Sequence, residues 1–252
     1  MANPFSLEGK VALVTGANTG LGQAIAVGLA EVGADIVAAG RSAPDETAEL
    51  VARTGRKLHA VKADFSSTGP IAGVVEEAFA KAGQVDILIN NAGIIRRADT
   101  LDFTEEDWDA VMDTNLKSVF FLTQAVARKW VAASRGGKVV NIVSMLSFQG
   151  GIRVPSYTAS KSGLAGLTKL MACEWASKGI NVNAIAPGYF ATNNTAALQA
   201  DEERNAAILA RIPAGRWGEP SDLAGAAVFL SSRAADYMHG SIVNVDGGWL
   251  AR

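Results

Sequence analysis

Val11-Ala12-Leu13-Val14-Thr15-Gly16-Ala17-Asn18-Thr19-Gly20-Leu21-Gly22 is the stretch whose reading decides the fold class. Apolar and β-branched residues run without a charge into three glycines, and helical periodicity continues from Gly22 to Glu31. A short apolar run of this kind suits a strand covered on both faces. Glycines let the chain turn sharply there and let backbone approach a ligand. The helix N-terminus behind them offers free N–H groups and the positive end of a dipole, which suits a pyrophosphate. The spacing is Gly-x3-Gly-x-Gly rather than the commoner Gly-x-Gly-x-x-Gly, and loops also carry glycine for steric reasons alone. The position between a first strand and a first helix is what points to a nucleotide.

The same alternation continues along the chain. Further strands are expected at Asp35–Ala39, Leu58–Val61, Asp86–Asn90, Lys138–Val143, Asn181–Ile185 and Ser241–Val245, with helical patterns over Glu105–Ala133 and Ser156–Ser177. Strand–helix alternation implies an α/β fold: a single Rossmann-like, doubly wound domain over residues 1–252, with a seven-stranded parallel sheet flanked by helices. No composition break, linker or repeat divides it. The segment from Tyr189 to Glu203 resists assignment and is longer than an ordinary connection, which is the habit of a substrate lid.

Composition narrows the function classes. A net charge of −2 lacks the basic excess that phosphate-backbone binding calls for, so no nucleic-acid partner is expected. Cys173 stands alone, which excludes an internal disulfide and fits a reducing compartment. The start, Met1-Ala2-Asn3-Pro4-Phe5, has neither the basic nor the apolar part of a signal peptide. The longest uncharged stretch, Gly179 to Ala200, is too polar to cross a bilayer. A soluble cytoplasmic protein with no membrane partner and no metal site is expected.

Chemistry enters at the fifth strand, which ends in Val143-Ser144, on the edge where open α/β sheets bind ligands. Tyr157 and Lys161 stand at i and i+4, so a helix presents them on one face. A nearby ammonium favours phenolate and lowers a tyrosine pKa from about 10. A phenol so tuned exchanges a proton with a substrate oxygen near neutral pH, and Ser144 can donate to that oxygen. Tyr and Lys four apart also occur on ordinary helices, with the lysine snorkelling to water. The conjunction with Ser144 and the glycine turn is what favours catalysis.

Thr15-Gly16-x3-Gly20-x-Gly22, Asn90-Asn91-Ala92-Gly93, Ser144, Tyr157-x3-Lys161 and Pro187-Gly188 together resemble the short-chain dehydrogenase/reductase family, in the family's order and over essentially the whole chain. The resemblance implies an NAD(P)-dependent oxidoreductase acting on CH–OH groups, assembled as a homotetramer. It makes Tyr157 the acid/base, Ser144 the group that polarises the carbonyl, and Lys161 the residue that tunes the tyrosine and bonds the nicotinamide ribose. Asn115 matches the residue that holds a water in a proton relay, Asp64 the one that bonds the adenine amine, and Thr192 the one that orients the carboxamide. Asn91 is implied to stabilise the sheet and line the cofactor. Asn18, Thr19, Leu21, Phe65, Ala92, Gly93, Pro187 and Gly188 complete the implied cofactor contacts. A dinucleotide sensor without turnover would show an eroded catalytic set, whereas Ser144, Tyr157, Lys161 and Asn115 are all present.

The second strand ends Ala39-Gly40-Arg41-Ser42, with no acid at the position that bonds a ribose 2′-hydroxyl. Arg41 suggests NADP(H), while neutral Thr19 and nearby Asp45 speak for NAD(H), which is slightly preferred. The stretches Ser144–Tyr157, Ala186–Asn194 and Val245–Arg252 resemble the family's 2-dehydro-3-deoxy-D-gluconate 5-dehydrogenase branch. Related enzymes reduce 4-deoxy-L-erythro-5-hexoseulose uronate from alginate, and the branch serves uronate and pectin breakdown. The implied substrate is a small sugar acid, and its carboxylate needs a cation. Arg153, Arg96 and Arg97 are the candidates, with Gln149 beside them. Arg153 comes first because it lies four residues before Tyr157.

Overall fold

A computed structural model describes residues 3–252. Strands β1 (Val11–Thr15), β2 (Asp35–Gly40), β3 (Leu58–Lys62), β4 (Ile87–Asn90), β5 (Gly137–Ile142), β6 (Ile180–Pro187) and β7 (Ile242–Val245) form one sheet in the order β3-β2-β1-β4-β5-β6-β7. Every pairing is parallel, as the expected crossovers require. Alternate side chains leave opposite faces of a strand. Ala12 and Val14 accordingly enter one apolar layer with Ile25, Leu29 and Leu230, while Val11 and Leu13 enter the other with Val75, Val126 and Trp130.

Covering on both faces holds for β1, β4 and β6, whose residues are all buried. The edge strands β3 and β7 are only partly covered, because each has a single neighbour. The order of winding reverses beside β1, which pairs with β2 on one side and β4 on the other. The crevice above such a switch point is where ligands bind in open α/β sheets.

Helices α1 (Gly20–Glu31), α2 (Asp45–Arg53) and α3 (Ile71–Ala82) come after the first three strands, so the first helix starts two residues before the expected Gly22. The expected single helix over Glu105–Ala133 is two, α4 (Glu105–Met112) and α5 (Ser118–Ala132), joined by a π-helical turn at Asp113–Lys117. Thr104 caps α4 by accepting from the Asp107 N–H. The π turn adds a residue to the hydrogen-bond ladder and re-aims α5; periodicity alone cannot reveal it. Helix α6 (Pro155–Trp175) begins with proline at its first position, where a missing N–H costs nothing.

The unassigned 189–203 segment is not irregular. A 3₁₀ turn at Asn193–Thr195 leads into α7 (Ala196–Ala200) and α8 (Glu202–Leu209), and α9 (Ala224–Ser231) returns the chain to β7. Helices α7 and α8 bury little of their surface, so they lack the strong apolar period that marks a core helix. Among the described residues no helix is long and apolar enough to cross a membrane, and no group of His, Cys, Asp and Glu could hold a metal.

Candidate active site

A cleft of about 560 Å³ opens along the carboxyl ends of the strands, floored by the turns after β1, β4 and β6. At the first turn Gly16 and Gly20 adopt φ of +67° and +58°, the left-handed region. A Cβ on Gly22 would collide with the Gly16 carbonyl oxygen, so only glycine lets α1 start this close to β1. No side chain caps α1, and its first residues line the cleft. That is an anion cradle, and it fits a dinucleotide pyrophosphate.

Asn91 holds this turn against the turn after β4. Its amide donates to the Thr15 and Gly16 carbonyls at 3.0 and 3.2 Å, while Thr15 Oγ1 accepts from the Asn91 and Ala92 N–H groups at 3.0 and 2.9 Å. Thr15 is a site residue that sequence reasoning missed; its one signal is a hydroxyl at a strand end next to glycine. Asn18, Thr19, Leu21, Ala92, Gly93, Pro187, Gly188 and Thr192 line the cleft. Arg41 lines its far end, together with Ser42, Asp64 and Phe65. The Asp64 carboxylate accepts from the Ser66 N–H at 2.9 Å, and this bond, with Ser66 Oγ and the Arg41 charge, holds its pKa below the ordinary carboxylate value.

At the opposite end Ser144, Tyr157 and Lys161 converge on the cleft. Ser144 stands at the end of β5, where Oγ accepts from the Leu146 N–H at 3.1 Å. Lys161, 4% exposed, donates from Nζ to the Ile142 carbonyl at 2.6 Å, and its Nζ lies 5.6 Å from the Tyr157 ring centre. Burial pushes the lysine down to about 8. Burial also pushes the Tyr157 phenol up, against the opposing pull of the Ser144 hydroxyl and the Arg97 charge. The expectation that Lys161 lowers the tyrosine pKa is therefore corrected: desolvation outweighs it, and the pull comes from Ser144 and Arg97. Neither burial nor a charge from another loop is visible in the spacing of Tyr and Lys.

Asn115 sits in the π turn, fully buried and beyond the cleft wall. Its side chain accepts from the Ile94 N–H and donates to the Ile94 carbonyl, each at 2.8 Å, and approaches Ser160 Oγ at 3.4 Å. Ser160 in turn donates to the Tyr157 carbonyl at 2.9 Å, and Ser147 Oγ to the Lys161 carbonyl at 2.8 Å. These two serines brace the first turns of α6. They too were missed, since small hydroxyl residues on a helix carry no distinguishing spacing.

The arginines separate. Arg153, the first choice from sequence, is exposed at φ +65° and pairs with Asp99 at 3.5 Å, outside the cleft lining. Arg96 lines the cleft but its Nε is engaged by Asp107 at 3.1 Å. Arg97 donates from Nη2 to the Asn194 carbonyl at 3.1 Å, bridging the turn after β4 to the 189–203 segment. Gln149 accepts from Trp249 Nε1 at 3.1 Å and also stands outside the cleft lining.

A parallel sheet with a glycine-bound dinucleotide cleft and a Ser–Tyr–Lys group at its carboxyl edge belongs to one class of enzyme. The chain belongs to the short-chain dehydrogenase/reductase family and is an oxidoreductase acting on CH–OH groups; the family model described as Enoyl-(Acyl carrier protein) reductase matches residues 16–250. Within that family it is 60% identical over 250 residues, 99% of each chain, to the 2-dehydro-3-deoxy-D-gluconate 5-dehydrogenase of Dickeya dadantii. An NADP-bound structure from Agrobacterium tumefaciens matches 99% of this chain and 100% of its own at 68% identity and a TM-score of 0.94. A gluconate 5-dehydrogenase from Burkholderia cenocepacia, in complex with NADP and tartrate, matches 99% and 98% at 40% identity and a TM-score of 0.93.

Proposed function

We propose that this enzyme interconverts the carbonyl and alcohol at one carbon of a keto-deoxy sugar acid, with 2-dehydro-3-deoxy-D-gluconate the first candidate and 4-deoxy-L-erythro-5-hexoseulose uronate the second. The observation that carries the reading is the convergence of Ser144, Tyr157 and Lys161 at one end of a dinucleotide cleft. The 60% identity to an enzyme named for the first substrate supports it. A nicotinamide dinucleotide, when bound, supplies or accepts the hydride. Tyr157 Oη gives the proton to the substrate oxygen in reduction and takes it back in oxidation. Ser144 Oγ holds that oxygen by donating to it, and the Lys161 ammonium would hold the ribose end of the nicotinamide. Asn115 is read as the residue that holds a water for the proton relay, while Ser160 braces the first turn of α6 through the Tyr157 carbonyl. The α7–α8 segment closes over the substrate as a lid and excludes water.

For the cofactor, the slight sequence preference for NAD(H) gives way in our reading to NADP(H). Arg41 and Ser42 line the ribose end of the cleft, whereas Asp45, which weighed against phosphate, starts α2 outside the lining. Arg41 has no carboxylate within 4.0 Å among the described residues, so its guanidinium is free for a 2′-phosphate. The test is a nicotinamide-absorbance assay over keto-deoxy sugar acids and neutral ketones with both cofactors. We expect turnover of the acids, a lower KM for NADPH than for NADH, and loss of that preference in Arg41→Ala. Turnover of neutral ketones alone would overturn the substrate reading, and a wild-type preference for NADH the cofactor reading.

We also read the chain as a homotetramer. Trp108, Phe121, Val131 and Leu170 on α4, α5 and α6 are 40–49% exposed, apolar surface that further copies would cover. Light scattering at micromolar concentration is expected to report four chains, and a stable monomer would refute this.

A further inference from the structure

Outside the cleft lining, but tied to the proton-transfer end through Met145 next to Ser144, lies an aromatic cluster that the chemistry above does not use. Trp249, 4% exposed, opens the C-terminal turn Trp249–Ala251. Its indole N–H donates to Gln149, and Tyr189 packs edge-on against it with ring centres 4.9 Å apart. Buried Met145, Ile208 and Ile212 complete the cluster. Met145 and Gln149 belong to the loop that begins at Ser144, Tyr189 to the start of the lid, and Ile208 to α8. Three segments that must cooperate in catalysis therefore meet on one indole.

Arg211, just beyond α8, lies over this indole with its guanidinium carbon 4.0 Å from the ring centre. Arg97 reaches the same segment through the Asn194 carbonyl. Neither of them, nor Arg204 on α8, has a carboxylate within 4.0 Å among the described residues. Burial pushes the Tyr189 phenol up, and the charges of Arg204, Arg211 and Arg97 all pull it down, so all three act at that hydroxyl. Arg97, Arg204 and Arg211 are exposed cations without a carboxylate partner, so each is available to an anion that enters beside Tyr189. A guanidinium stacked on an aromatic face also keeps its in-plane N–H donors free, the geometry that takes a carboxylate in two parallel bonds.

We propose that Arg211, seated on Trp249 with the Tyr189 ring against the same indole, is a specificity-determining residue that grips the carboxylate end of the substrate. This rests on the sugar-acid reading above. Because Arg211 comes directly after the lid helix, gripping the carboxylate and closing the lid are one movement, and a neutral carbonyl compound would not draw the lid down in the same way.

The test measures kcat/KM of the wild type, Arg211→Met and Arg211→Lys on a keto-deoxy sugar acid and on a neutral ketone. Met keeps an aliphatic stem against Trp249 without the charge, and Lys keeps the charge without the fork. We expect Arg211→Met to lower the acid-over-ketone ratio by about tenfold or more, mainly through KM for the acid, and Arg211→Lys to recover part of it. An unchanged ratio in Arg211→Met, or equal losses in both variants on both substrates, would overturn the proposal and leave Arg211 a packing residue. If the wild type itself shows no preference for the acid, the sugar-acid reading fails and this inference falls with it. A wild-type preference that survives Arg211→Met overturns this inference alone.

Discussion

Tyr157→Phe is expected to lower kcat in both directions by at least about 10²- to 10⁴-fold, the usual contribution of a positioned proton donor. The substitution removes one hydroxyl and keeps the ring, which is partly buried on the first turn of α6, so the fold and the glycine cradle at the far side of the cleft should survive. Dinucleotide binding, measured by fluorescence quenching, should therefore persist. The pH dependence has a definite sign. Burial raises the phenol above its ordinary value, so it stays protonated through neutral pH and is ready to donate. Carbonyl reduction should be flat there, while alcohol oxidation, which needs the phenolate, should rise with pH. A variant within a few fold of wild type would remove Tyr157 from the mechanism.

The second large effect is a separation of activity from stability at Lys161. Its folded pKa is near 8, below the ordinary lysine value of 10.5, so the unfolded chain binds this proton more tightly than the native one. Burying the charged lysine therefore costs stability below about pH 8, on the order of 3 kcal/mol by linkage, and the cost is relieved as pH rises from 8 toward 10.5. Lys161→Met removes the buried charge at similar volume. Against this gain, the Ile142 carbonyl loses its donor, a penalty of about 1–3 kcal/mol. Thermal denaturation at pH 7 should thus find the variant no less stable than wild type. Its kcat should nonetheless fall by about 10²-fold or more, as when other preorganised electrostatic donors are removed. Between pH 8 and 10.5 the wild type should gain on the variant. A variant that is several degrees less stable at pH 7, with no such pH trend, would show that Lys161 is held by its contacts without strain.

Much of the site is legible in the chain itself. Gly16, Gly20 and Gly22 announce a backbone approach because glycine adopts the left-handed dihedrals of the first two without strain, and only glycine at 22 fits against the Gly16 carbonyl. Tyr157 and Lys161 are readable because helical spacing puts i and i+4 on one face. Arg153 misleads for a related reason: nearness in sequence to Tyr157 stands in for nearness in space. A left-handed backbone at Arg153 itself turns the side chain toward Asp99 instead. The lid helices escape because α7 and α8 are short and largely exposed, and so carry little apolar period.

What the sequence determined alone is what short-range sterics and periodicity encode: seven apolar strands in alternation with helices, a glycine turn open to phosphate, and a phenol and an ammonium one helical turn apart. The tertiary structure alone decided the strand order β3-β2-β1-β4-β5-β6-β7, which opens the crevice beside β1. It also decided that Ser144 meets Tyr157 from another element, that burial governs both Tyr157 and Lys161, that Arg97 reaches the lid at Asn194, and that Arg211 lies on Trp249. The physical reason is that desolvation and Coulomb terms depend on distance through space, and these distances are set by packing between segments that are remote in sequence.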